Sequence, residues 1–488
     1  MQNVAEVSMA APREPLGFAQ PAGLRCVRHG RLYLLLLLVL VWAPIPLGSN
    51  RGWSLALLEA GTLFILGVWA VSYTYRPFEL SPAIYSARHS LFILALWSVY
   101  PLVQLIPVST GTTELAGSGI GTIYKELPPV IATDSTYLTL DRNATVAGFI
   151  RQCSIVALFF SILALTTSRS RLRGLLILIL AVGFFEALYG LVLYFGGDEL
   201  ELWNPGQAQA TLSGTYVNQN HFAGLLEITI PVGLGLLLSS WPQHEELPDV
   251  RSIPRSLSAF VLSQRAVILF CVLIMTASLI MTESRGGIGA LAVGITVAVL
   301  IAVWKKGVRT TELVVGIMAV VLAAIAILWL GSGRLAEKLQ TAGFSSDRGD
   351  LRELSYRMIG DNPVFGTGLG TYRWVFPSYK DERFGSYFYE HAHNDYLEVL
   401  IEQGVVGFSL LALGVFLILL SLIPAFGRRR DPLVRGALFA AIAGSVSFMV
   451  HGLVDFNFQI PANAGYFFVL LGLGTAAGKL SRKPLGRY

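Results

Sequence analysis

An arginine and a histidine, each in a polar break between apolar runs, are the groups of this chain best suited to chemistry. Arg285 stands in TESRGG, Thr282–Gly287. Two glycines follow it and let a backbone approach an anion closely. A planar guanidinium there reads as a phosphate ligand, or as an anchor that snorkels to lipid headgroups. His393 stands in HAHNDYLEVLIEQGVVG, His391–Gly407. Imidazole titrates near neutrality and suits a general base. His391 competes with it, as does His221 in GTYVNQNHFAG, Gly214–Gly224, a segment that also holds Asn218. The remaining polar cluster, DRGDLRELSYRMIGDNPVFGTGLG, runs from Asp347 to Gly370. Arg348 and Arg352 in it share one face of a helix, with Arg357 beyond. That pattern fits a solvated amphipathic helix or a guanidinium cluster for a diphosphate.

Other charged residues lie inside apolar runs: Glu59, Arg151, Glu186 and Glu227. Charge there is costly, and is often functional. His451, with Asp455 beyond it, reads as a helix-end hydrogen-bonded pair. Cys26, Cys153 and Cys271 have neither a disulfide framework nor metal-ligand spacing, so no metal site is expected.

The elements that must hold these residues are membrane helices. The chain is 54% hydrophobic and 14% charged, against roughly 25% charged in a soluble protein. Runs such as LYLLLLLVLVW from Leu32 show no alternation, which excludes a β-barrel. Backbone in lipid must satisfy its own hydrogen bonds, so such runs are helices. The reading is an all-α polytopic membrane protein of about twelve transmembrane helices. They fall near 32–48, 53–73, 90–107, 147–166, 174–196, 221–240, 266–282, 288–304, 312–331, 404–425, 437–453 and 464–478. Met1–Arg31 precedes a first helix read as retained rather than cleaved.

Basic residues orient the array. With a cytoplasmic N-terminus, 23 of the 36 Lys and Arg fall in cytoplasmic segments, while the short outer loops hold only Arg51 and Arg285. Both termini are therefore expected in the cytoplasm. The organisation is a cytoplasmic segment 1–31, helices over 32–331, an outer loop 332–403, helices over 404–478 and a cytoplasmic tail 479–488. The positive charge gives no reason to expect a nucleic-acid partner, because basic residues also serve as topology signals.

Together these motifs resemble the bacterial O-antigen ligase and O-antigen polymerase superfamily. His393-Asn394, nine residues, Gly404, two residues and Gly407 match that family's H[NSQ]-x9-G-x-x-[GTY] pattern. Arg348, followed by NPVFGTGLG, TESRGG and VNQNHFAG complete an ordered set over roughly 214–460. Arg352 stands where the family has an aromatic residue. The resemblance implies a GT-C-like glycosyltransferase of the bacterial inner membrane, with a large periplasmic loop before helix 10. It implies a glycan donor on undecaprenyl diphosphate, held by Arg285, Arg348 and Arg352. It implies a sugar hydroxyl acceptor, on lipid A core or on another lipid-linked repeat unit. His393 would be the catalytic base, supported by Asn394, Tyr396, His221 and Asn218, with no cofactor.

The residues suit that reaction. Diphosphate is a good leaving group, and fixed cations stabilise the charge growing on the bridging oxygen without a metal. A weakly nucleophilic hydroxyl needs a base. Attack opposite the leaving group inverts the anomeric centre. The competing class is a multi-pass transporter of a small anion, which typically has paired broken helices and a midplane polar site. Here the polar residues gather instead in one outer loop system.

Overall fold

A computed structural model describes residues 29–109, 135–196, 211–240, 263–305 and 344–480. The chain is a helical bundle. In order, its helices are α1 (Gly30–Trp42), α2 (Gly52–Tyr75), α3 (Pro82–Ser86), α4 (Arg88–Val99) and α5 (Pro101–Gln104). Then come α6 (Arg142–Leu165), α7 (Arg169–Gly196), α8 (Gln219–Ser240), α9 (Gln264–Met281) and α10 (Arg285–Trp304). After these follow α11 (Phe344–Asp361), α12 (Tyr372–Val375), α13 (Asp395–Arg428), α14 (Pro432–His451) and α15 (Pro461–Lys479). Pro107–Ser109 and Ser135–Tyr137 pair as a short antiparallel ladder.

Among the described residues, eight helices are long and apolar enough to cross a membrane: α2, α6 to α10, α13 and α14. The expectation of about twelve is only partly met. α1 has 13 residues, short of the roughly 20 needed to span. The expected helix over 90–107 divides into α4 and α5 at Pro101, which supplies no backbone donor. The expected helix over 312–331 lies outside the described residues.

The centre of the bundle is α8, α10, α14 and α15. α8 and α14 cross where Gly235 and Gly436 face each other, so close that a Cβ on either would strike the other's carbonyl. Small residues at such crossings let membrane helices pack by van der Waals contact. α15 is buried along almost its whole length.

α13 begins nine residues earlier than the apolar run suggests. Asn394 caps it, its Oδ1 accepting from Tyr396 N (3.1 Å) and Leu397 N (3.0 Å). Gly404 breaks it, at φ 60° and ψ −171°. A side chain there would strike the Val364 carbonyl. The Pro363–Gly370 segment docks into this break. Val405 N donates to Pro363 O (2.8 Å), Thr367 N to Ile401 O (2.8 Å) and Gly368 N to Glu402 O (3.0 Å). Gln104 adds bonds from Nε2 to Phe365 O (2.7 Å) and Glu402 O (2.8 Å). The broken helix thus keeps its backbone partners, borrowed from the glycine-rich segment.

The segment 344–401 has a small core of its own, including Leu351, Leu354, Met358, Tyr372, Phe376 and Phe384. This core seats α11 and α12 on the first turns of α13.

Candidate active site

Three of the four polar clusters of the sequence meet at one end of the bundle, and the fourth, Asp347–Gly370, docks on the first turns of α13. That end gathers the starts of α8, α10 and α13 and the end of α14. The turn after α14 ties them together: Asp395 N donates to Gly452 O (2.9 Å), and Phe458 N donates to the Asp395 carboxylate (3.1 Å). Asn394 Nδ2 reaches Leu453 O (2.8 Å).

Three histidines surround one ring, Phe456. His391 stacks on it with centroids 4.3 Å apart, while His221 and His393 meet it edge-on at 4.6 and 4.8 Å. Beside it lies buried Asp455. Asn220 Nδ2 donates to Asp455 Oδ2 (2.7 Å), and His393 Nδ1 stands 3.5 Å from Asp455 Oδ1. Burial favours the neutral acid, but the His393 side chain and the charges of His221, His451 and His393 hold the Asp455 carboxyl below the usual range. His393 itself has φ 50°, a left-handed backbone that costs a non-glycine residue of order 1–3 kcal/mol. Its side chain is 30% exposed.

His391 is held differently. Its Nδ1–H donates to Glu398 Oε1 (2.7 Å), and Ala392 N donates to Glu398 Oε2 (2.9 Å). Burial alone would lower the His391 pKa, but the Glu398 carboxylate, aided by Glu402 and Glu390, holds it above the ordinary value. His391 therefore favours the cation more than a free imidazole does.

His451 is fully buried. Its Nδ1–H donates to Glu227 Oε1 (2.6 Å), and Ser447 Oγ donates to Glu227 Oε2 (2.9 Å). His451 thus has a side-chain partner in Glu227 of α8, while its charge also acts on Asp455, whose N donates to His451 O (3.1 Å). The His451 ring packs against Gly286, at the first turn of α10, where any side chain would crowd it.

Arg285 opens α10 and is exposed. Ser284 caps the helix, its Oγ accepting from Gly287 N (3.3 Å). Glu283, just before, has φ 57°. A helix N-terminus with an exposed guanidinium favours an anion by dipole and by charge. Arg352 lies exposed on α11, as does Arg357, which pairs with Glu353 (2.6 Å). Arg348 is on the same helix, and its side chain lies outside the described ones.

The residues expected to support the base make hydrogen bonds within the chain. Asn394 spends its side chain on capping α13, and Tyr396 Oη donates to Met449 O (2.6 Å). Asn218 Oδ1 accepts from Asn220 N (2.8 Å) at the start of α8. His221 is buried, and its Nε2 has no hydrogen-bond partner among the described residues.

Sequence reasoning missed Phe456 altogether, along with Glu398 and Glu402. Glu398 carried a signal, since it follows His391 at a spacing that brings a capping carboxylate back over the preceding loop. Phe456 carried none, being one of 27 phenylalanines. Glu186 and Glu227, singled out as charges in apolar runs, hold the site from below. Glu186 accepts from Thr215 N and Thr215 Oγ1 (both 3.0 Å), pinning the segment that leads to His221.

Beside His391, on α13, a cavity of about 970 Å³ opens into the bundle. His391, Tyr396 and Glu398 line it; His393, Arg285 and Asp455 do not.

Comparison with known proteins finds a family match over part of this end of the bundle. No curated protein matches the chain. A family model described as O-antigen ligase matches residues 270–412, a span that includes Arg285, Arg348, Arg352, His391, His393 and Gly404. Residues 270–412 are thus an O-antigen ligase domain, set in a membrane protein of many apolar helices.

Proposed function

We propose that the chain transfers a glycan from undecaprenyl diphosphate to a sugar hydroxyl in surface polysaccharide assembly. The observation that carries this reading is the pairing of His393 with buried Asp455 at the end of the bundle where Arg285 opens α10. His393 takes the proton of the acceptor hydroxyl as that oxygen attacks the anomeric carbon. The bond to the diphosphate breaks on the opposite face, so the configuration inverts. Asp455 orients the imidazole and stabilises the imidazolium that forms. Arg285 and the N-terminus of α10, with Arg348 of α11, hold the diphosphate and the charge that grows on its bridging oxygen. Arg352 is a weaker donor contact. The fold is read as GT-C-like, with this end facing the periplasm, 332–403 as the periplasmic loop and both termini cytoplasmic. The basic-residue asymmetry supports that orientation.

The test is transfer by the purified full-length protein in nanodiscs, given undecaprenyl-diphosphate-linked glycan and a lipid-linked acceptor. Product is read by mass spectrometry and its anomeric configuration by NMR. Transfer that persists with a chelator present, with inversion and dependence on His393, supports the reading. Retention of configuration, or dependence on a divalent metal, would overturn the mechanism. Labelling of single cysteines in 344–392 only after the inner membrane is permeabilised would overturn the orientation.

A further inference from the structure

The matched domain leaves the first helices without a role. They form one wall of the 970 Å³ cavity beside His391. Its polar end is lined by Arg51 before α2, Arg151 and Gln152 of α6, Arg373 of α12, Glu390 and His391. Its apolar end is lined by Phe408, Leu411, Phe416 and Leu419 of α13 and by Phe467 of α15. From Phe408 to Leu419 the apolar wall runs about 16 Å along the helix.

Two atoms at the polar end lack partners among the described residues, although Gln152 Nε2 donates to Gln403 Oε1 (3.0 Å). Arg151 Nε and Gln152 Oε1 are buried and make no hydrogen bond. Arg151 lies nine residues into a membrane helix, where a charge is costly without a function. Buried polar atoms are nearly always satisfied, and these two are a donor and an acceptor on consecutive residues of α6, both of which line the cavity. A sugar hydroxyl is both acceptor and donor. Of the carboxylates near Arg151, Glu398 is engaged by His391 and Glu402 by Tyr372 N (3.0 Å), while Glu59 of α2 balances the charge and its Oε1 makes no hydrogen bond among the described residues. Arg373, which lines the cavity, lies 4.8 Å over the ring of half-exposed Trp374, itself outside the lining, and Phe388 packs on Trp374 edge-on at 6.3 Å. Such exposed rings offer apolar faces to sugar C–H groups. Below, phenylalanine walls suit a hydrocarbon chain, since apolar cavities do not hold water well.

We propose that this cavity seats a membrane-held glycolipid acceptor, its sugar head against Arg151, Gln152 and His391 and its chain along Phe408–Leu419. The inference rests on the reading above, in which the donor lies on the Arg285 side, and it deepens that reading. The N-terminal helices then select the acceptor, whereas Arg285, Arg348, His393 and Asp455 carry the transfer chemistry.

The experiment uses the full-length protein in nanodiscs and a synthetic disaccharide on a diazirine-bearing palmityl chain, with diazirine-bearing phosphatidylglycerol as comparison. On irradiation, the glycolipid probe attaches to α13 beyond Gly404 and to α15, and unlabelled glycolipid displaces it. Ala412→Trp, at an exposed position of the wall, blocks the label. Arg151→Gln weakens displacement about tenfold, as expected for one lost charged hydrogen bond. Equal labelling by phosphatidylglycerol that glycolipid does not displace would mean a structural lipid only and would overturn the proposal. So would labelling that neither variant changes. Arg285→Ala and His393→Ala lose transfer and keep the label, so failure of the donor chemistry and failure of the cavity assignment are read separately.

Discussion

His393 Nδ1 and Asp455 Oδ1 stand 3.5 Å apart, although one residue precedes α13 and the other follows α14. The carboxylate is fixed from three sides. Asn220 Nδ2 reaches one oxygen, Phe456 N reaches the other (2.9 Å), and the imidazole covers the third approach. An imidazole with a carboxylate 3.5 Å from one nitrogen can present the other to an acceptor hydroxyl. His393→Ala is expected to lower turnover by about a hundred- to ten-thousand-fold, the usual contribution of a positioned base, while donor binding persists. Asp455→Asn should lower turnover by less. His221→Ala and His391→Ala should retain much more activity than His393→Ala. Glycan transfer by purified variants checks this; an active His393→Ala beside a dead His391→Ala would move the base to His391.

Arg285 acts through the shape of its guanidinium as well as its charge. Arg285→Lys keeps the charge and loses the planar fork, so turnover and donor affinity should both fall, with Arg285→Ala falling further. Donor titration by native mass spectrometry, alongside turnover, separates the two effects. Unchanged affinity in Arg285→Ala would remove Arg285 from the diphosphate site.

The His391–Glu398 pair predicts a pH dependence of stability. The His391 pKa is raised in the folded protein from the ordinary 6.5, chiefly by Glu398 working against burial. A raised folded pKa contributes stability that is fully present below about 6.5 and fades as pH rises through the folded value. The melting temperature of Glu398→Gln should therefore fall furthest below wild type under mildly acidic conditions, and the gap should narrow as the medium becomes alkaline. A gap that widens with rising pH contradicts the assignment.

Gly404 tests the docking of the glycine-rich segment. Gly404→Ala places a Cβ against the Val364 carbonyl in a left-handed backbone. The backbone term alone costs roughly 1–2 kcal/mol, and the clash adds to it. Melting should drop, and protease cleavage within 363–370 should accelerate. Gly360→Ala, on α11 with open space around its Cα, serves as the control and should leave both unchanged.

The sequence alone determined the class of this protein. Long apolar runs without alternation can only be helices in lipid, and the spacing of His393, Gly404 and Gly407 was legible because a local pattern carries it. The family match over 270–412 agrees with that reading. The hydrogen-bond partners of Asn394 and Tyr396 were not legible, because the same side chains can cap a helix or reach across to another, and only packing sets which they do. Tertiary structure also decided what each histidine is paired with. Asn220 and Asp455 are 235 residues apart, and His451 and Glu227 are 224 apart. No local periodicity encodes such partners. They are set by which helix ends the glycine crossings of α8, α10 and α14 bring together, and that depends on side-chain volumes across the whole bundle.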